Sequence, residues 1–202
     1  MRLVILFALL SRANAFAEAE HYEQVRVDAG LTGSMVSVSD RGGAGLVMEI
    51  KAMVHDNIAV GGRVEVAVMF GGEVGPDHAS MDLAIAACGL LKAEYLFGDG
   101  MVRPFVGLGA GGYTIGAQTI DSGPNTAGID QKTGRYIGVA PEVGIDIGRV
   151  RIAATYNAIL GASLELHQTV GTVENTTTLS QNYLSLELSF RFGGQRIGAP
   201  GH

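Results

Sequence analysis

The chain has 202 residues, 47% hydrophobic and only 17% charged, with a formal net charge of −6. Its mean hydropathy is +0.26, yet no run reaches the ~18 apolar residues that a transmembrane helix needs, and the longest internal run, Leu83–Leu91, contains Gly89. Glycine is twice as common as usual at 30 residues, which disfavours long helices because each costs ~1 kcal/mol there; few prolines and no low-complexity tract disfavour disorder.

At the N-terminus, Arg2 precedes the apolar stretch Leu3–Leu10 and the small-residue sites Ala13-Asn14-Ala15 and Ala15-Phe16-Ala17. That order predicts a secretory signal peptide over residues 1–17, cleaved between Ala15 and Ala17. Removal of Arg2 and Arg12 lowers Lys plus Arg from 14 to 12 against 20 acids, a mature charge of −8. An acidic exported chain is a poor nucleic-acid partner, since that binding rests on neutralising phosphates. The single Cys88 allows no intramolecular disulfide.

Alternating runs then follow, predicting strands over Glu23–Val36, Gly45–His55, Ile58–Phe70, Met81–Phe97, Arg103–Ala117, Arg135–Gly148, Arg149–Ser163 and Asn182–Gly193. The connections Asp56-Asn57, Gly98-Asp99-Gly100 and Gly148-Arg149 are tight and carry hairpin chemistry. The connections Ser37–Ala44, Gly71–Ser80, Gln118–Gly134 and Leu164–Gln181 are longer and polar. Short and long alternate strictly. In an up-and-down meander, this puts every short turn at one end and every long loop at the other.

Side-chain parity divides each strand into two faces. The last strand sets Leu184, Leu186, Leu188, Phe190 and Phe192 opposite Tyr183, Ser185, Glu187, Ser189 and Arg191. The third sets Val60, Val64, Val66 and Val68 opposite Arg63 and Glu65, and the seventh sets Ile152, Ala154 and Tyr156 opposite Arg151, Thr155 and Asn157.

Alternation alone does not say which face is inside. A soluble calycin-like ligand-binding barrel would bury the apolar face; a membrane barrel turns it to lipid. Charges of both signs nearly balance on the polar face, as a narrow closed interior requires. They comprise Arg26, Lys51, Arg63, Lys92, Arg103, Arg151 and Arg191 against Asp28, Glu49, Glu65, Asp82, Glu94, Glu142, Asp146 and Glu187. Gly107, Gly109 and Gly111 share that face, as a crowded eight-stranded lumen would need. Tyr95, Phe97, Phe190 and Phe192 gather at the short-turn end, where an interfacial girdle would lie. The prediction is an all-β, eight-stranded antiparallel up-and-down transmembrane β-barrel over residues 18–193, with a short tail at 194–202.

Two segments also resemble a known family. Arg103-Pro104-Phe105-Val106-Gly107-Leu108-Gly109-Ala110-Gly111-Gly112-Tyr113 looks like a mid-barrel strand of the small OmpA/OmpX-like outer-membrane proteins of Gram-negative bacteria. The closing stretch from Tyr183 to Phe192 is similar to that family's aromatic-ended final strand. The resemblance implies a cell outer-membrane location, with membrane lipid and the barrel assembly machinery as partners. It implies no activity, because fold does not fix function. The chain departs from the family in lacking Trp and in running from Gly193 to His202 beyond the final aromatic.

Little in the sequence suggests chemistry. Asp77, His78 and Ser80 share the Gly71–Ser80 loop, and an outer-membrane lipid A-modifying enzyme would use such residue types, a base activating a hydroxyl. Adjacency in sequence is not that geometry, and the motifs of lipid A acyltransferases and deacylases do not match. No His or Cys pair stands at metal-ligand spacing. The glycines from Gly107 to Gly112 precede no helix, so they form no phosphate cradle. Asn175-Thr176-Thr177 is a glycosylation sequon only in form. The expected role is structural and surface-interacting, without enzymatic activity or cofactor. Balanced ion pairs would fill the lumen, in preference to a porin-like ion path, and the long polar loops would offer a surface to an extracellular ligand.

Overall fold

The computed structural model describes residues 25–36, 42–74, 79–123, 126–161, 163–170, 173–180 and 182–193. Within them, side chains are described outside 72–82, 117–132 and 163–180. Ten strands form: β1 (Val25–Val36), β2 (Gly42–His55), β3 (Ile58–Val74), β4 (Ala79–Leu96), β5 (Val102–Gly123), β6 (Thr126–Ile147), β7 (Val150–Leu160), β8 (Ser163–Val170), β9 (Val173–Ser180) and β10 (Tyr183–Gly193). Eight of them close into an antiparallel barrel in the order β1-β10-β7-β6-β5-β4-β3-β2, and β8 pairs only with β9. The seam joins β1 to β10 with Val27 opposite Phe192 and Leu31 opposite Leu188. Closure leaves no barrel strand with an unpaired edge.

The structure decides between the two faces, with the apolar side outward. Leu186 is 57% exposed and Val66 44%, while Arg151 and Glu49 are both 0%. All along β10, buried and exposed residues alternate from Tyr183 to Phe192. The last five residues of β10 on the outer face are Leu184, Leu186, Leu188, Phe190 and Phe192, as parity predicts.

Two of the short connections are two-residue turns, Asp56-Asn57 and Gly148-Arg149, whereas β4 and β5 are joined by residues 97–101. Gly98 and Gly148 adopt positive φ, of 74° and 58°, which L side chains resist. The turns are fastened together: Asn57 Nδ2 donates to Leu96 O at 2.8 Å, and Arg103 Nη2 donates to Asp56 O at 2.6 Å.

At the opposite end the expectation of long irregular loops is corrected. β5 and β6 run on as a continuous ladder from Val102 opposite Ile147 to Gly123 opposite Thr126, through most of the predicted Gln118–Gly134 loop. β3 and β4 likewise extend to Val74 and back from Ala79. The predicted Leu164–Gln181 loop is mostly the β8–β9 hairpin, with Ser163 opposite Ser180 and Val170 opposite Val173. The physical reason is that ladder hydrogen bonds need no apolar face. Strands can therefore continue through polar sequence that lacks the alternation by which strands are recognised. Residues 1–24, which hold the predicted signal peptide, and the tail 194–202 lie outside the described residues.

Candidate functional site: a charged barrel interior

Each barrel strand sends alternate side chains to the axis, and in the middle of the barrel these are charged. Arg26 and Asp28 come from β1, Glu49 and Lys51 from β2, Arg63 and Glu65 from β3, and Lys92 and Glu94 from β4. Arg103 comes from β5, Glu142 and Asp146 from β6, Arg151 from β7, and Glu187 and Arg191 from β10. All are at most 7% exposed. They comprise seven acids and seven bases. Asp82, an eighth acid on the predicted polar face, has no described side chain.

Ion pairs join the groups across the lumen. Arg63 Nη1 reaches Glu49 at 2.9 Å and Glu187 at 2.8 Å, while its Nη2 reaches Glu65 at 2.6 Å. Arg151 Nη2 lies 2.6 Å from Glu94 and 2.7 Å from Glu142. Nearer the short turns, Arg26 bridges Asp28 at 2.7 Å and Asp146 at 2.9 Å, Lys51 reaches Asp28 at 3.0 Å, and Arg191 pairs with Asp146. Arg103 donates to backbone carbonyls of the turns, at Gly98 and Asp56. A buried charge is costly unless several partners satisfy it, and most of these have two or more.

Glu49, Glu94 and Glu142 bring carboxylate oxygens within 4.8 Å of one another, a spacing that suits a cation. The cation between them is the Lys92 ammonium, 2.6 Å from Glu49, 2.8 Å from Glu94 and paired also with Glu142. The space between the three is therefore already taken by a side chain of the same barrel, and Lys51, Arg63 and Arg151 supply further positive charge around it.

The ion pairs share the barrel interior with two buried apolar clusters. Toward the short turns lie Met53, Ala59, Leu96, Phe105 and Ala153. Toward the long hairpins lie Met69, Ala84, Ala86, Cys88, Leu90, Tyr113, Ile115, Ala140, Ile159 and Tyr183. The sequence carried a signal for the second cluster. On β4 both faces are apolar, which is why Leu83–Leu91 reads as an unbroken run: Ala84, Ala86, Cys88 and Leu90 face in, while Ile85 and Leu91 face out.

Two contacts escaped sequence reasoning because they pair residues distant in the chain. The Arg151 guanidinium lies 3.7 Å over the Phe105 ring, a cation–π contact linking the ionic layer to the apolar cluster beneath. Tyr113 Oη donates to Asn157 Oδ1 at 2.9 Å, and Asn157 leads through Ser185 Oγ to Glu65, whose oxygen accepts from Ser185 at 2.8 Å. The upper cluster is thus tied by hydrogen bonds to the ionic middle.

The arrangement holds charges of both signs in mutual contact. Ser185 and Ser189 donate to Glu65 and Glu187, and no imidazole stands beside either hydroxyl among the described residues. Asp77 and His78 lie outside the described residues, as does the Ser80 side chain.

No family model matches the chain, and no curated protein matches it. Solved structures do resemble its fold. Ail, the attachment invasion locus protein of Yersinia pestis, is 12% identical at a TM-score of 0.43, covering 85% of this chain and 99% of that one. Neisserial surface protein A is 15% identical at 0.40, covering 84% and 95%. The outer membrane protein OprG of Pseudomonas aeruginosa is 10% identical at 0.44, covering 88% and 100%.

Proposed function

We propose that the chain is an exported outer-membrane barrel of a Gram-negative bacterium, a structural scaffold that carries hairpins to the cell surface. One observation supports this above the rest: the molecule is inside-out relative to a soluble protein. Fourteen charged side chains are buried, whereas Leu31, Leu46, Val64, Leu91, Ile137, Leu188 and Phe192 are each more than half exposed. A continuous apolar exterior of that kind is unstable in water and favourable against acyl chains. The aromatic residues Tyr95 and Phe97, in edge contact at 5.0 Å, lie at the short-turn end with Phe190 and Phe192, where an interface would seat them. The reading takes residues 1–17 as a cleaved leader, the assembly machinery as a partner during biogenesis, and the lumen as closed to ions.

Its role is non-enzymatic. The β5–β6 and β8–β9 hairpins supply the surface for an extracellular ligand, since a rigid scaffold positions what it projects. The test is fractionation in a Gram-negative host. The protein should sediment with the outer membrane and migrate differently before and after boiling, because a closed barrel keeps its shape in detergent until heated. Recovery in the aqueous periplasmic fraction would refute the proposal.

A further inference from the structure

Arg135 of β6 is exposed, and among the described side chains it is the one charged residue at an outward-facing position along the barrel strands. No carboxylate among the described residues pairs with it. It stands twelve residues along β6 from Ile147, at the short-turn end. With a rise of ~3.3 Å per residue and a tilt of ~40°, that is about 30 Å along the barrel axis, just past an apolar band of ~25 Å. The position is where an acyl layer gives way to headgroups.

The surface around it is two-part. Thr114 stands directly across from Arg135 and Thr133 two residues further along β6, both exposed. On the other side, one register step toward the short turns, Val64, Gly89, Gly112 and Ile137 form a row across β3, β4, β5 and β6. A Cβ at Gly89 or at Gly112 would meet nothing within 4 Å, so the floor there is bare backbone. Val64, 54% exposed, and Ile137, 68% exposed, wall it on either side. The result is a trough two strands, about 10 Å, wide. It lies on the apolar exterior, ends toward the short turns against Leu91, 74% exposed, and has a guanidinium and two hydroxyls at its head.

We propose that this face seats one phosphate-bearing lipid of the surrounding membrane. An acyl chain lies on the Gly89–Gly112 floor, and the phosphate accepts paired N–H bonds from Arg135, with the Thr114 and Thr133 hydroxyls donating alongside. Guanidinium suits this use because its fork matches two phosphate oxygens and holds its charge at any pH. The inference rests on the reading of the chain as a membrane barrel. Inorganic phosphate shares the headgroup chemistry but cannot use the trough. A second copy of the chain could use the trough but brings no anion known to face Arg135.

The experiment uses the full chain folded in detergent and native mass spectrometry. The probes are dioleoyl phosphatidylglycerol, dioleoylglycerol as its phosphate-free counterpart, and inorganic phosphate as competitor. The wild type should retain one phosphatidylglycerol. R135Q and G112L should each lower retention about tenfold, the scale of one lost charge-assisted contact. R135K should keep most of it, dioleoylglycerol should be retained poorly, and inorganic phosphate should displace nothing. Retention by R135Q equal to the wild type, displacement by free phosphate, or a dimer in place of the lipid adduct would each overturn the proposal. Insertion of every variant into phosphatidylcholine vesicles is scored separately. A wild type that fails to insert refutes the membrane reading itself; insertion with an indifferent R135Q refutes only the lipid seat.

Discussion

Arg151 on β7 reaches across the lumen to Glu94 on β4, Nη2 to Oε1 at 2.6 Å, spanning two intervening strands. The same guanidinium holds Glu142 at 2.7 Å and lies over Phe105 at 3.7 Å. Strands that share no ladder are thereby tied through the barrel's centre.

Arg151→Met should therefore destabilise the barrel by about 3–5 kcal/mol, because it removes the cation shared by Glu94 and Glu142 and leaves the buried layer with an excess of negative charge. Urea titration of the unboiled gel species measures the loss. Adding Glu94→Gln to the variant should recover part of it, since one unpaired charge is then removed; additivity of the two losses would show that the residues do not interact.

Lys92→Ala should leave Glu49, Glu94 and Glu142 facing one another without the ammonium between them. The variant should be less stable than the wild type in the absence of divalent metal and should regain stability with added Mn²⁺ or Ca²⁺, as oxygen ligands allow. The wild type should show no such response in thermal unfolding. An equal metal response in both proteins would mean that Lys92 does not occupy the triad.

Gly144 lies opposite Phe105, and a Cβ there would run into that ring. Gly144→Ala should cost about 1–3 kcal/mol through overpacking. Pairing it with Phe105→Leu should lower the penalty, as read by the midpoint of thermal unfolding. A neutral Gly144→Ala would show that both the ring and the Ile152 carbonyl, which the Cβ would also meet, can move aside.

Leu186 separates a lipid-facing surface from a solvated one. Leu186→Arg should cost about 2–4 kcal/mol for folding into bilayers if the residue sits near mid-membrane. On a water-exposed surface the same change would usually lie within about 0.5 kcal/mol. Denaturant titration in lipid vesicles distinguishes the two.

How much was legible beforehand can be judged from particular residues. The inward set from Arg26 to Arg191 could be read by parity because strand side chains alternate strictly and most of the strands have a single greasy face. The β8–β9 hairpin could not, since its polar residues fall on both parities and only backbone pairing defines it. Nor could the apolar cluster inside the barrel: Met53, Leu96 and Phe105 sit on the predicted polar face, at strand ends where parity says which way a side chain points but not what it meets.

The amino-acid order by itself determined the number of barrel strands, their alternating turns and which side chains share a face, because those follow from local backbone geometry with a period of two. Only the tertiary structure decided which acid meets which base, that an ammonium sits within the carboxylate triad, and that greasy clusters pack inside the barrel beside the charged layer. Those facts depend on the stagger of eight strands around one axis, which brings residues 124 positions apart, such as Arg63 and Glu187, to 2.8 Å. No local pattern encodes such a distance.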